Sequence, residues 1–223
     1  MKPLQAGGFT LIELLVSLTI GALVLVSTIE IFVHLRGSLQ YQSEWHALQE
    51  RGRHLLLFFQ NELKKVDYPQ GVTNSNALSA TNGSGSNSDT LTLSYEGARD
   101  CAGSRANTVQ YALQQSDIRC DGNGGSSPTP QTLTSHVDGL QLRFGADTDS
   151  DGSVDRYWRA DQVSNWSQVQ SITIAALLRS EAAVRESIDE NHYSLLEVEY
   201  GPFQDHYLRR IYQTTVQLRN RQF

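Results

Sequence analysis

The sequence predicts an α+β protein in which one long N-terminal helix packs on an antiparallel β-sheet domain. Three observations predict this class. Residues 9–33 form an apolar run, residues 36–66 continue it with a one-sided helical pattern, and about six β-rich segments follow residue 89. A sheet wrapped on the amphipathic half of a helix buries the apolar surfaces of both elements.

The first half of the helix, residues 9–35, is apolar on all sides. From Phe9 to Val33 its polar interruptions are Glu13, Glu30 and a few hydroxyl residues. At about 1.5 Å per residue, the 25 residues from Phe9 to Val33 exceed the roughly 30 Å hydrocarbon core of a bilayer. We therefore predict a membrane-spanning segment here.

The second half of the helix, residues 36–68, has apolar residues on one side only. They recur at helical spacing, and the residues are Tyr41, Trp45, Leu48, Leu55, Phe59, Leu63 and Val66. Because no proline interrupts the pattern before Pro69, we predict one continuous helix over residues 9–66.

Residues 69–223 are predicted to form one β-rich globular domain. Gly71–Asp89 and Asp121–Pro130 are rich in turn residues and predict loops, and Glu181–Asn191 predicts a loop or a short helix. The predicted strands are Thr90–Tyr95, Thr108–Leu113, Gly139–Phe144, Ser171–Leu177, Leu195–Tyr200 and Tyr207–Leu218.

A lone carboxylate stands near the start of the apolar run. An ionised side chain in a membrane helix costs about 3 kcal/mol on insertion scales, so Glu13 is expected to have a partner or a function. Cleavage between Gly8 and Phe9 would give Phe9 a free α-amine one helical turn from Glu13. That amine would supply the missing cation, in the same chain or in a neighbouring one.

The block Gly8-Phe9-Thr10-Leu11-Ile12-Glu13 resembles the processing site of type IV prepilins and type II secretion pseudopilins. The resemblance implies that residues 1–8 are a leader, that prepilin peptidase cuts after Gly8, and that Phe9 is N-methylated. It also implies that Glu13 neutralises the Phe9 amine of a neighbouring subunit in a fibre. A conventional signal peptide and an ordinary single-span anchor are the alternatives.

Two cysteines, Cys101 and Cys120, lie 19 residues apart in a segment rich in Gly, Ser and Asn. In an exported domain a disulfide between them is the natural expectation, whereas two free buried thiols would suit a cytosolic protein.

The segment Asp147-x-Asp149-x-Asp151-Gly152-x-x-Asp155 places carboxylates at alternate positions of a turning loop. Such carboxylates, with the carbonyl of Ser153, can converge on one Ca²⁺ ion, although Trp158 stands where an EF-hand has its bidentate Glu. We predict a structural calcium loop. The alternative is a solvated acidic turn, because Asp and Gly favour turns in any case.

Composition excludes other classes of function. The net charge of −6 and the absence of a basic cluster argue against nucleic acid as a main partner. The sequence has no metalloprotease His motif, nucleophile elbow or phosphate loop, so no enzymatic activity is predicted.

The whole chain most resembles the PilW-like minor pilins of type IV pili, on its length, its cysteine pair, the acidic segment 147–158 and the ending 208–221. The resemblance implies a pilin-like fold, a role in pilus assembly and priming, and a position at or near the tip. The implied partners are other minor pilins and the major pilin. The implied location is the bacterial inner membrane with a periplasmic domain, and afterwards the pilus.

Two further functions remain open. The ending also resembles the J-type pseudopilin of type II secretion, which would place the chain in a short periplasmic filament. A calcium-dependent adhesin at the pilus tip is the other alternative.

Overall fold

The computed structural model describes residues 9–67, 77–83, 87–94, 101, 103, 108–122 and 130–221. The predicted leader, residues 1–8, lies outside this part of the chain. A single helix, α1, spans Leu11–Leu63. Eleven strands follow: β1 Leu78–Thr81, β2 Thr90–Ser94, β3 Thr108–Gln114, β4 Asp117–Gly122, β5 Gln131–Ser135, β6 Val137–Ala146, β7 Arg156–Trp158, β8 Val169–Ala183, β9 Tyr193–Leu195, β10 Val198–Tyr200 and β11 Tyr207–Gln217.

The predicted α+β class, with one long N-terminal helix and antiparallel strands, is confirmed. Helix α1 ends three residues earlier than the pattern predicted. There the chain tightens into i→i+3 backbone bonds, from Lys65 N to Glu62 O at 3.0 Å and from Val66 N to Leu63 O at 3.3 Å.

The chain divides into two compact units, and the first ends at Ser43. Within this unit α1 is exposed over its whole surface, and α1 contains an 18-residue window with a mean hydropathy of 2.2. The hydroxyls within this half of the helix donate to backbone carbonyls three or four residues earlier, as seen at Ser17, Thr19, Ser27 and Thr28. The helix is thus long and apolar enough to span a bilayer without leaving these hydroxyls unsatisfied.

The second unit, residues 44–223, contains two antiparallel sheets and a hairpin. The first sheet has five strands in sequence order, β1-β2-β3-β4-β5. The second has four strands in the order β11-β8-β6-β7, and the hairpin pairs β9 with β10. The long strands β6, β8 and β11 form the centre and one edge of the four-stranded sheet.

Several of the predicted boundaries are wrong, and strands β4, β5 and β7 were not predicted. Strand β4 continues to Gly122, inside the predicted loop Asp121–Pro130. Strand β1 lies inside the predicted loop Gly71–Asp89, and it is held by pairing with β2. The predicted strand Leu195–Tyr200 is a hairpin, because Leu196 and Glu197 take positive φ angles of 52° and 98° and reverse the chain. Strand β8 continues to Ala183, where it pairs with Tyr207 of β11, so the start of the predicted polar segment is strand.

The C-terminal half of α1 forms part of the core of the second unit. The buried residues on this face are Leu48, Gly52, Leu55, Phe59 and Leu63, at intervals of three and four. The ring of Phe59 meets that of Tyr111 on β3 edge-to-face at 5.4 Å. The face that sequence periodicity marks as apolar is therefore the face that packs on the sheets.

Gly52 marks the closest approach between α1 and strand β11. A Cβ atom added at Gly52 would lie 2.3 Å from the ring of Tyr212. The hydroxyl of Tyr212 donates to the carbonyl of Leu48, one turn earlier on the helix, at 3.0 Å. The glycine thus leaves room for a ring that also bonds to the helix backbone.

A buried ion cluster supports the opposite face of the four-stranded sheet. The Arg209 guanidinium, whose side chain is 2% exposed, donates to Asp138 at 2.7 Å, to Asp189 at 3.1 Å and to both oxygens of Asp205 at 2.6 and 2.7 Å. The hydrogen bonds from Arg209 lower the pKa of Asp205. Burial raises the pKa of Asp189, but the hydrogen bonds from Tyr193 and Arg209 outweigh it, so that pKa is also lowered.

Replacing Gly52 with Ala tests the close approach. Alanine favours a helix by about 1 kcal/mol over glycine, yet the new methyl group must push the Tyr212 ring aside. We expect Gly52→Ala to lower the free energy of unfolding by about 1–3 kcal/mol. Thermal unfolding of the full chain in detergent, followed by circular dichroism, measures the change.

The matched control is Gly37→Ala, since a Cβ atom at Gly37 would meet no atom within 4 Å. This variant should unfold at or above the wild-type temperature. A Gly52→Ala protein as stable as the Gly37→Ala protein would contradict the assigned packing.

Candidate functional site

The start of α1 carries a reciprocal cap formed by Thr10 and Glu13. The carboxylate of Glu13 accepts hydrogen bonds from the Thr10 backbone N–H at 3.0 Å and from the Thr10 hydroxyl at 2.9 Å. The backbone N–H of Glu13 in turn donates to the Thr10 hydroxyl at 3.3 Å. This is a capping box, in which side chains satisfy N–H groups that the first turn of a helix leaves without partners.

The cap gives Glu13 a partner that the sequence interpretation did not assign. The pattern Thr-x-x-Glu before an apolar run is a recognisable helix start, and it adds Thr10 to the Phe9 amine that the sequence predicts as a partner. Phe9 precedes the cap and is 82% exposed. Gly8 lies outside the described residues, so the cleavage between Gly8 and Phe9 and the pairing of Glu13 with an amine stay predictions.

The predicted calcium loop lies in the connection between β6 and β7. Its first carboxylate, Asp147, directly follows β6 and is 4% exposed, whereas Asp149 and Asp151 are exposed. One carboxylate oxygen from each of these three residues lies within 4.8 Å of the others. The alternating spacing thus brings together three of the four predicted carboxylates, and calcium binding stays a prediction.

Backbone N–H groups hold the loop in its turn. Asp147 accepts from Ser150 N at 2.7 Å and from Gly152 N at 2.9 Å, one to each of its oxygens. Asp151 accepts from Ser153 N at 2.7 Å. Gly152 has a φ of +86°, which the absence of a side chain permits.

Asp155 is not one of the three converging carboxylates. Its Oδ2 accepts from Thr148 N at 2.7 Å and from the Thr148 hydroxyl at 2.6 Å, and these bonds lower its pKa. At Asp149 the backbone N–H of Asp151 lowers the pKa, but the charges of the neighbouring carboxylates outweigh it and the pKa is raised. The loop thus holds charges that repel one another.

The donor set of the loop fits a hard divalent cation. Carboxylate oxygens are ligands that Ca²⁺ takes in proteins, and a bound cation would neutralise the repulsion among the carboxylates. The assignments of Asp155 and of the Ser153 carbonyl as additional ligands stay predictions.

Cys101 and Cys120 are joined in a disulfide, with Cα atoms 6.2 Å apart. Cys120 lies on β4 and is buried at 2% exposure. The bond attaches the chain before β3 to β4, an inner strand of the five-stranded sheet, and it agrees with the expectation for an exported domain.

Within the described residues, the acidic loop contains the single group of three or more His, Cys, Asp or Glu side chains that converge closely enough to bind a metal.

Two family models match the sequence. The model of type IV pilus-assembly protein W matches residues 101–220, and the model of the prokaryotic N-terminal methylation motif matches residues 5–29. The first match covers more than half of the chain, and the second contains the Thr10–Glu13 cap.

Among solved structures, the chain is similar to the type IV-like pilin TTHA1219 from Thermus thermophilus. The TM-score is 0.55 at 15% sequence identity, over 79% of this chain and 98% of that chain. At this identity the likeness concerns the fold. No curated protein matches the chain.

Proposed function

Because the chain belongs to the family of type IV pilus-assembly protein W, we propose that it is a minor pilin that helps to assemble a type IV pilus and is incorporated at or near the pilus tip. The observation that carries the proposal is that one chain holds both matches. The methylation motif, residues 5–29, includes the start of the apolar helix α1, and the family match over residues 101–220 covers most of the β domain. The family and the fold are those of structural pilins rather than of enzymes.

Processing begins the proposed assembly. Prepilin peptidase removes residues 1–8 and N-methylates Phe9, while the apolar half of α1 holds the chain in the inner membrane with residues 69–223 in the periplasm. The disulfide supports an oxidising compartment for this domain. The chain then leaves the membrane and enters the pilus together with other minor pilins and the major pilin.

Glu13 changes partner during this step. Before assembly its carboxylate is satisfied by Thr10 of its own chain. In the fibre it pairs with the methylated amine of a neighbouring Phe9, and the pair sets the axial register of the two subunits. A buried cation and a buried carboxylate are each costly when unpaired. A shift in register that separates them is therefore strongly disfavoured.

Calcium is the proposed structural ion of the 147–155 loop, with Asp147, Asp149 and Asp151 as its main ligands. The support is the convergence of three carboxylate oxygens within 4.8 Å. The ion would stiffen the connection between β6 and β7 by removing the repulsion among these charges.

A second candidate function is that of a J-type pseudopilin in a type II secretion system. The C-terminal segment 208–221, which contains most of β11, is the feature that favours it. Both candidates share the processing step and the fold, so a phenotype must separate them.

Deletion of the gene tests the proposed function. We expect loss of surface pili and of twitching motility, with secretion of exoproteins unchanged, whereas a pseudopilin would show the reverse. Complementation with wild type should restore pili.

Glu13→Gln should insert into the membrane normally but reach sheared pili at about one-tenth of the wild-type level or less, because it removes the charge that pairs with the amine.

The matched control for Glu13→Gln is Thr10→Val, which removes the hydroxyl of the cap and keeps the charge. It should assemble better than Glu13→Gln. Wild-type incorporation of the Glu13→Gln protein would show that the charge is not needed for assembly.

Calcium binding is tested by isothermal titration of the full chain in detergent. We expect one site per chain with a dissociation constant between about 10⁻⁵ and 10⁻³ M. Saturating calcium should raise the unfolding temperature, since a ligand at about 100 times its dissociation constant adds about 2.7 kcal/mol to the stability of the folded state. Asp149→Asn combined with Asp151→Asn should abolish both effects without unfolding the protein, because both side chains are exposed.

Glu186→Gln is the matched control, since it removes an exposed acidic charge outside the loop. It should bind calcium like the wild type. No heat and no shift in the wild-type unfolding temperature would eliminate the calcium site.

A further inference from the structure

The free edge of strand β11 is the longest strand edge in the described part of the chain that has no neighbouring strand. In the order β11-β8-β6-β7, this strand of 11 residues pairs with β8 on one side, and no described strand lies on the other. The other edge strands, β1, β5 and β7, have three to five residues. A long free edge presents a row of backbone donors and acceptors to another chain.

The pairing register identifies the backbone groups that point outward. Leu218 N donates to Gln170 O at 2.8 Å, so residues 218 and 170 form a hydrogen-bonded pair just beyond the end of β11. Bonded and non-bonded pairs alternate along an antiparallel ladder, and the register is regular from residue 209 to residue 217. The N–H and C=O groups of Ile211, Gln213, Thr215 and Gln217 therefore face away from β8.

This part of the edge has none of the features that normally block pairing. Residues 211–217, Ile-Tyr-Gln-Thr-Thr-Val-Gln, contain no charge and no proline. The irregularity in the ladder lies at the other end of the strand, between Tyr207 and Arg209. Native proteins usually blunt an exposed edge with charges, proline or a bulge, and an edge without them is suited to accept a partner strand.

A groove of about 650 Å³ runs beside the C-terminal half of this edge. Its lining includes Gln60 and Lys64 near the end of α1, residues 152–154 and Tyr157. Residues 215–217 of β11 also line it. Tyr157 is 52% exposed and is available to pack on a side chain of an incoming strand.

The charge of the groove decides between possible occupants. Its lining contains two charged side chains, Lys64 and Arg219, both exposed and both positive. The carboxylates of Asp151 and Asp155 flank residues 152–154 and accept hydrogen bonds within their own loop. Lys64 and Arg219 are therefore the lining groups that can pair with an incoming carboxylate. In an antiparallel pair of two copies, Lys64 and Arg219 of each copy would lie at opposite ends of the shared edge. They would find no carboxylate on the partner edge, because β11 contains no Asp or Glu. A strand with carboxylates near its ends would neutralise them.

We propose that the free edge of β11 binds an extended acidic segment of a different protein, which adds as a further antiparallel or parallel strand to the four-stranded sheet. Backbone hydrogen bonds to Ile211, Gln213, Thr215 and Gln217 provide affinity, and Lys64 and Arg219 select carboxylates. This docking surface does not depend on the assembly role or on calcium. It is a second binding site, on the β domain, in addition to the contacts that the helix is proposed to make.

Synthetic peptides provide the test with the full chain in detergent. Fluorescein-labelled peptides of about nine residues, alternating Val and Thr, carry Glu, Gln or Lys near both ends. Fluorescence anisotropy should show that the Glu peptide binds about tenfold more tightly than the Lys peptide. The double variant Lys64→Glu and Arg219→Glu should reverse this preference.

A pair of substitutions at Gln213 separates backbone pairing from side-chain contact. Gln213→Pro removes an outward N–H, which an edge strand tolerates, and should weaken binding of the Glu peptide about tenfold. Gln213→Ala shortens the side chain but keeps the N–H, and should bind within about twofold of wild type. Hydrogen exchange should slow at Gln213 and Thr215 when the peptide is bound, and circular dichroism checks that both variants fold.

Four results would overturn the proposal. These are no binding of any peptide at millimolar concentration, equal binding of the Glu and Lys peptides, equal binding by the Pro and Ala variants, or slow exchange at residues 213 and 215 in the peptide-free chain. The last result would mean that a second copy occupies the edge.

Discussion

The contact between Gly52 and Tyr212 is the constraint on which the rest of the β domain depends. It sets how near the C-terminal half of α1 lies to β11, and the hydroxyl bond to Leu48 fixes the ring in place. Leu55, Phe59 and Leu63 continue the same face into the core. A β domain built on such a face cannot separate from its helix without exposing its own interior, so the helix and the domain act as one mechanical element from residue 44 onward.

The beginning of the helix follows a different rule, because its surface is exposed and apolar. The energetic cost there comes from the single carboxylate of Glu13 and not from packing. The backbone N–H and the hydroxyl of Thr10 satisfy this carboxylate within its own chain. These intrachain hydrogen bonds satisfy the carboxylate before assembly, and the proposed assembly contact then supplies a cation, the amine of a neighbouring chain.

Sequence periodicity predicted the helix, the antiparallel β domain and the long strands because these features repeat over many residues. Short elements were missed where tertiary pairing decides the structure. Strand β1 has four residues in a polar segment, and the β9–β10 turn uses Leu196 and Glu197 instead of the usual Asn or Gly. The alternating carboxylates predicted the convergence of Asp147, Asp149 and Asp151, but not that Asp155 would bond to Thr148. The free edge of β11 depends on strand order, which no local pattern contains.

Mass spectrometry of material sheared from the cell surface tests the central claim most directly. The claim is that this chain is processed as a prepilin and built into a pilus. The account predicts an N-terminal peptide that begins with methylated Phe9, together with peptides from the β domain. A chain that keeps residues 1–8, or that is absent from sheared pili while present in the membrane, would contradict it.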